Sequence, residues 1–244
     1  MLNIHKRYRS GYYHEDIITE RSLEFHTWNQ TVEQVPNAII NNQISNRAIA
    51  IGNNPTRLGF DLNALKHASG LLGANTVQTY GCNALYRDFQ PDFLVALSPD
   101  IVEEISKSNY IKDNIVYASA TDLLEYPNKF YLIPYNPYAD AGTTAAYIAA
   151  FDGHKKIYML GYGEHDTDNV NFNVYAGTRG YDAYEADINS DKWIANRQKL
   201  FNVYFDVDFV WVTPHGRNLI PELLKYCPNF RQIDFRTFVL ECDL

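Results

Sequence analysis

The chain has 244 residues, which is enough for one large α/β domain and too few for two domains with sizeable cores. Hydrophobic residues make up 46% and charged residues 20%, a globular composition, and no apolar run approaches the roughly 18 residues of a membrane helix. The formal net charge of -8 argues against a surface that neutralises many nucleic-acid phosphates.

The number of cysteines and the composition of the first ten residues indicate the cellular compartment of the protein. Cys82, Cys227 and Cys242 are too few and too scattered for a disulfide framework, and their spacing fits no zinc site. Residues 1–10 are polar and basic, with no apolar stretch behind them that is typical of a secretory signal. We therefore expect a cytoplasmic protein. The 19 tyrosines favour stacking on sugars or bases, or packing in a core and in a homo-oligomer interface.

Residues 1–46 lack a sustained hydrophobic period, which predicts an N-terminal arm with one short helix around residues 17–28. Residues 47–244 are predicted to form a nucleotide-binding domain in which strands and helices alternate. The predicted strands cover residues 48–51, 76–80, 92–97, 115–118, 130–133, 156–160 and 207–212, with an edge strand at 232–240. The predicted helices cover residues 61–69, 84–88, 100–106, 121–125, 141–151, 192–204 and 218–226. This alternation predicts a single Rossmann-like α/β fold, with a mainly parallel sheet and helices on both faces.

One long segment interrupts the alternation. Residues 161–191 carry four glycines and few aliphatic side chains. Loops of this length in compact domains are usually functional lids or disordered segments. We expect a mobile lid here, inserted into the α/β domain.

The first strand of the domain stops at Gly52, and the turn behind it is predicted to expose Asn53, Asn54 and Thr56. Backbone space and amide donors at the carboxyl end of a strand suit a nucleotide, although the same residue types also make ordinary turns. The helix at 141–151 begins with Gly142 and Thr143. Free amides there suit a phosphate, and close packing on the sheet explains the small residues equally well.

Several motifs together resemble the bacterial sialyltransferases of glycosyltransferase family 42. The family has a Gly-Asn-Gly-Pro-Ser turn after its first strand, and residues 52–56 read Gly-Asn-Asn-Pro-Thr. The next strand of the family ends in Cys-Asn, which is Cys82-Asn83 here. Residues 142–161 are similar to its Ser-Gly helix and following strand, and residues 212–215 are similar to its Cys-Pro-Asn turn.

The resemblance implies a transferase that needs no metal or other cofactor. Asn53 and Asn83, with the turn residues and Cys82 beside them, would bind the nucleotide of an activated sugar, with a cytidine nucleotide as one candidate. Tyr175 would be a lid tyrosine that faces the donor phosphate. Arg179 and Tyr181 are further lid residues for stabilising the phosphate as it leaves. The acceptor would be a hydroxyl group of unspecified class.

The chain departs from the family at two positions. The serine before the helix glycine is Ala141, and residues 166–214 contain no histidine, although the family has its general base late in the lid. His165 and His215 both follow predicted strands, and either imidazole is able to accept a proton near neutral pH. We expect His165 to be the base, with His215 as the second candidate.

Three functions remain open at this point. The first is a metal-independent, inverting glycosyltransferase. The second is a metal-dependent phosphotransferase that resembles the pterin pyrophosphokinase-like proteins, since residues 91–100 are similar to their Pro-Asp strand. The third is a non-catalytic nucleotide-binding module, which the missing lid histidine favours.

Overall fold

The computed structural model describes residues 2–7, 12–18, 30–36, 45–67, 77–134, 136–163, 173–183, 190–216 and 220–244. The first three ranges are strands β1 (Leu2–Arg7), β2 (Tyr12–Ile18) and β3 (Gln30–Pro36), which form an antiparallel sheet. The predicted helix at 17–28 is wrong at Ile17 and Ile18, because both lie in β2. β-Branched and aromatic residues dominate β2 and favour an extended backbone. Residues 19–28 lie outside the described ranges.

The second sheet has eight strands, and every neighbouring pair in it is parallel. Its order is β11-β10-β9-β4-β5-β6-β7-β8. The strands are β4 (Arg47–Ile51), β5 (Gln78–Cys82), β6 (Phe93–Val95), β7 (Ile115–Ala118), β8 (Tyr131–Leu132), β9 (Lys156–Leu160), β10 (Asp208–Thr213) and β11 (Phe230–Asp234). The predicted mainly parallel α/β fold is therefore confirmed.

Five of the α-helices in the described residues come between these strands, as expected for parallel connections, and α6 follows the last strand. They are α1 (Pro99–Lys107), α2 (Tyr110–Asp113), α3 (Ala120–Glu125), α4 (Ala141–Asp152), α5 (Ser190–Val203) and α6 (Phe235–Cys242). Short 3₁₀ helices cover Pro55–Arg57, Leu62–His67, Asn83–Arg87 and Glu222–Leu224. The second and third of these replace the α-helices predicted at 61–69 and 84–88.

Two predictions near the end of the chain are wrong. The edge strand predicted at 232–240 ends at Asp234, where α6 begins. Asp234 caps this helix by accepting a hydrogen bond from Thr237 N at 2.8 Å, and this local bond replaces strand pairing. The helix predicted at 218–226 is reduced to Glu222–Leu224, since Pro221 has extended backbone dihedrals. Residues 217–219 are not described.

Helices cover both faces of the parallel sheet, as predicted. Ala48 and Ala50 of β4 face the core under α4 and α5, whereas Ile49 and Ile51 face the core that contains α1, α3 and α6. Ten of the twelve residues of α4 are buried. The small side chains on β4 and on α4 allow close packing, which brings the start of this helix to the carboxyl edge of the sheet.

Candidate functional site

The cleft lies at the carboxyl ends of β4 and β9, where the strand order reverses. From β4 the chain adds β5 to β8 on one side, and β9 then returns to pair with the other side of β4. The connections that leave β4 and β9 diverge, and open α/β sheets bind ligands in the crevice that results. This crevice has a volume of about 260 Å³.

Two glycines bring the loops at the floor of the cleft into backbone contact. The amide of Gly52 donates to Leu160 O at 2.8 Å, and that of Asn54 donates to Gly161 O at 3.1 Å. A Cβ atom on Gly52 would lie 2.3 Å from the carbonyl oxygen of Gly161. Gly161 itself has a φ of +76°, which favours glycine. The floor of the cleft therefore requires glycine at both positions.

The turn after β4 is half-buried, which corrects the expectation of an exposed turn. Asn54 joins the two loops, because its Nδ2 donates to Gly163 O at 3.0 Å. Its Oδ1 accepts from Thr56 N at 2.9 Å within its own turn. Asn53 Nδ2 donates to Cys82 O at 3.2 Å. Asn53 and Asn54 line the cleft, whereas Thr56 is absent from the lining that the described residues form.

The end of β5 supplies the next wall. Cys82 is 4% exposed, and burial, with the Asp140 carboxylate nearby, raises the pKa of its thiol to about 12. Asn83 has a φ of 45°, a left-handed conformation in which asparagine is enriched. Its Oδ1 accepts from Leu97 N at 2.9 Å and from Ser98 N at 3.3 Å. Cys82, Asn83 and Ser98 all line the cleft.

The start of α4 is occupied by a carboxylate. Asp140 Oδ1 accepts from Thr143 N at 2.8 Å, and Oδ2 accepts from the Thr143 hydroxyl at 2.6 Å. Thr143 is 1% exposed and does not line the described part of the cleft, whereas Asp140 and Gly142 do. The predicted phosphate site at Gly142 and Thr143 therefore has an anion in place already.

Helix α5 contributes a tryptophan and an arginine one turn apart. Trp193 and Arg197 both line the cleft, and Arg197 is 4% exposed. The guanidinium carbon of Arg197 lies 5.4 Å from the ring centre of Tyr162 and 5.9 Å from that of Trp211. Its Nη1 donates to Tyr162 O at 3.4 Å. These contacts fix the direction in which the guanidinium points.

Residues 173–183, the described middle of the predicted lid, pack over one end of the cleft. Val174 N donates to Asn53 O at 2.9 Å. Tyr181 lines the cleft, and the oxygens of its hydroxyl and of the Asn53 amide are both buried without a hydrogen-bond partner among the described residues. Burial raises the pKa of Tyr181 to about 12. The remaining parts of the lid, 164–172 and 184–189, lie outside the described ranges.

Tyr175 and Arg179 bind side chains that do not line the described part of the cleft. The Tyr175 hydroxyl accepts from Arg57 Nη2 at 3.1 Å, and burial raises the pKa of this tyrosine above its usual range. Arg179 Nη2 lies 2.8 Å from Glu103 Oε2 on α1. Neither residue belongs to the lining described for the cleft. Both hold the lid segment against the body of the domain.

The two candidate histidines have different outcomes. His165 lies outside the described residues. His215 follows β10, its side chain is 92% exposed, and its Nδ1 lies 2.7 Å from Asp234 Oδ2. This contact and a hydrogen bond from the Thr237 amide hold the pKa of Asp234 well below its usual range. His215 lies at the same edge of the sheet as the cleft but is not among its described lining residues.

The structure brings seven of the predicted site residues to one cleft: Gly52, Asn53, Asn54, Cys82, Asn83, Gly142 and Tyr181. Ten further lining residues were not among the predicted site residues, and six of them have polar or aromatic side chains: Ser98, Asp140, Tyr162, Asn173, Trp193 and Arg197. Asp140 was recognisable as a helix cap, and the spacing of Trp193 and Arg197 places them on one helix face. No local signal shows that this face meets the cleft.

No family model matches the chain, and neither a curated protein nor a solved structure matches it significantly. The similarity to the sialyltransferases thus rests on the sequence motifs alone. In the described part of the chain, no helix is long and apolar enough to cross a bilayer. Within the same residues, no group of three or more histidine, cysteine or acidic side chains has an arrangement that suits a metal ion.

Proposed function

We propose that the cleft binds a nucleotide-activated sugar and that the protein transfers the sugar to a hydroxyl acceptor by one inverting displacement. The main support is the position of the cleft at the point where the strand order reverses, the usual nucleotide site of such sheets. Its lining also suits a nucleotide. Asn53 and Asn83 offer amides at strand ends, and Trp193 offers an aromatic surface.

The displacement needs a base that removes the proton of the acceptor hydroxyl, and His215 is the described candidate. An ionised carboxylate only accepts hydrogen bonds, so in the neutral form of the ring the 2.7 Å contact to Asp234 favours the proton on Nδ1. Nε2 then carries the lone pair that accepts a proton. In this proposal Asp234 orients the ring, and His215 receives the proton as the hydroxyl attacks the anomeric carbon.

A non-catalytic nucleotide-binding module is the second candidate. One observation favours it: none of the described residues that line the cleft is a histidine. His215 serves as a base only if the anomeric carbon of the bound donor and the attacking hydroxyl both lie at the end of β10, beside the described cleft. Donor turnover therefore separates the two candidates.

The test is release of nucleotide from a panel of nucleotide sugars, with and without EDTA and with mixed hydroxyl acceptors. We expect release that EDTA does not inhibit. His215→Gln should lower turnover by about 100-fold, within the range for loss of a general base, with little change in nucleotide affinity. Asp234→Asn should also lower turnover, whereas the matched Asp208→Asn at the opposite end of β10 should not.

Each alternative gives a different result. Nucleotide binding without release from any donor would support the binding module. Release that requires Mg²⁺ would contradict the metal-independent displacement, and Mg²⁺-dependent consumption of a nucleoside triphosphate would support the phosphotransferase. Full turnover in His215→Gln would exclude His215 as the base.

A further inference from the structure

Arg197 is the only basic side chain among the described residues that line the cleft. It is almost completely buried, and its guanidinium is held by the rings of Tyr162 and Trp211. An arginine whose orientation is fixed loses little conformational entropy when it binds an oxyanion, and its planar fork matches phosphate oxygens. The α5 side of the cleft therefore has the geometry of an anion site.

The α4 side of the cleft, in contrast, carries a carboxylate and does not suit an anion. Asp140 is bonded to both the amide and the hydroxyl of Thr143, so the start of the helix is already satisfied by a carboxylate. A phosphate placed there would lie a few ångströms from a fixed negative charge. Repulsion at such distances disfavours a second anion.

We infer that the phosphoryl group of the nucleotide binds at Arg197, on the α5 side of the cleft, and not at the start of α4. This inference rests on the proposed nucleotide-binding function and adds the orientation of the ligand to it. Trp193 lies one turn before Arg197 and lines the same cleft, so in this orientation its ring would pack against the ribose or base next to the phosphate. Asp140 faces the hydroxyl groups of the ligand, since a carboxylate accepts hydrogen bonds from hydroxyls.

The inference is tested by comparing each nucleoside monophosphate with its nucleoside in isothermal titration at constant ionic strength. We expect the nucleoside monophosphate to bind about 10- to 150-fold more tightly than its nucleoside, which is the contribution of a hydrogen bond to a charged group. Arg197→Gln should reduce this ratio to near one and leave nucleoside affinity within about twofold. Lys199→Gln removes the same charge from the exposed face of α5 and should leave the ratio unchanged.

Asp140→Asn is a second variant that tests the inference if the buried Arg197 variant does not fold. It should fold, because asparagine is itself a good helix cap. The ratio should change by less than about threefold. A rise of tenfold or more would place the phosphate against α4 and overturn the inference. Equal losses of nucleotide and nucleoside affinity in a folded Arg197→Gln would also overturn it, while leaving the proposed function intact. Absence of nucleotide binding by the wild-type protein would refute both.

Discussion

Residues 173–183, in the middle of the predicted lid, are bound to the domain by a cluster of charged side chains that a single substitution disrupts. Arg87 binds Glu104 through two hydrogen bonds, of 2.9 Å from Nε and 2.7 Å from Nη2. It also donates to the Thr178 hydroxyl at 2.8 Å and to Arg179 O at 3.0 Å. Glu104→Gln would remove the charge that orients Arg87, and we expect the segment to open more often.

The expected magnitude follows from burial. The Arg87 and Glu104 side chains are only 20% and 21% exposed. A hydrogen bond to a charged group contributes about 1.5–3 kcal/mol, and partial solvent screening reduces this to about 1–2 kcal/mol. Since 1.4 kcal/mol is a factor of ten, hydrogen-exchange protection of residues 173–183 should fall by about 5- to 30-fold.

Glu103→Gln is the matched control. The Glu103 and Arg179 side chains are in contact and are 36% and 55% exposed, respectively. Ion pairs this exposed contribute about 0–1 kcal/mol to stability. Protection should change by less than about threefold. Equal effects of the Glu103 and Glu104 substitutions, or none from Glu104→Gln, would refute the argument from burial.

The same contact predicts a pH dependence. The hydrogen bond from Arg87 lowers the pKa of Glu104 from the usual 4.5. A carboxylate with a lowered pKa stabilises the folded state above its unfolded pKa, and the stabilisation is lost as the pH falls through the folded pKa. Protection of residues 173–183 should be constant from pH 8 to about pH 5 and should fall below about pH 4.5.

Three further predictions concern the floor and wall of the cleft. Asn53→Ala removes the bond to Cys82 O, so nucleotide affinity should fall and urea unfolding should show a loss of about 1 kcal/mol; unchanged affinity would exclude Asn53 from the site. Burial raises the pKa of Cys82 to about 12, so little thiolate forms at pH 8 and iodoacetamide should leave the thiol intact; rapid alkylation of the native protein would contradict its burial. Gly52→Ala places Cβ against Gly161 O and should cost about 1–3 kcal/mol in thermal unfolding; wild-type stability would contradict the close contact.

The strands and the long helix that sequence predicts best are buried along nearly their whole length. The predicted bounds of β7 and β9 match the structure, and those of β4 and α4 differ by one residue, because continuous apolar runs there end at Gly, Asp or Ser. The junction of β11 and α6 is harder. Apolar residues recur on both sides of it, and only the cap at Asp234 marks the change of period.

Some residues of the candidate site were also predictable from sequence, and others were not. The family resemblance assigns Asn53 and Asn83 to the nucleotide, and both line one cleft because they end neighbouring parallel strands, whose carboxyl ends lie at one edge of the sheet. Trp193 and Arg197 were missed because their position depends on how α5 packs against the sheet, which no local pattern specifies. Tyr175 was assigned to the cleft by resemblance, whereas its hydroxyl binds Arg57.

The most direct test of the nucleotide site is a thermal-unfolding panel of cytidine, uridine, guanosine and adenosine nucleotides, with and without Mg²⁺. Ser98→Trp, which fills the cleft from a half-buried position on its wall, is measured in parallel. We predict that at least one nucleotide at 100 times its Kd stabilises the wild-type protein by about 2.7 kcal/mol, and that Ser98→Trp removes this effect. No stabilisation by any nucleotide, or equal stabilisation of both proteins, would contradict a nucleotide site in this cleft.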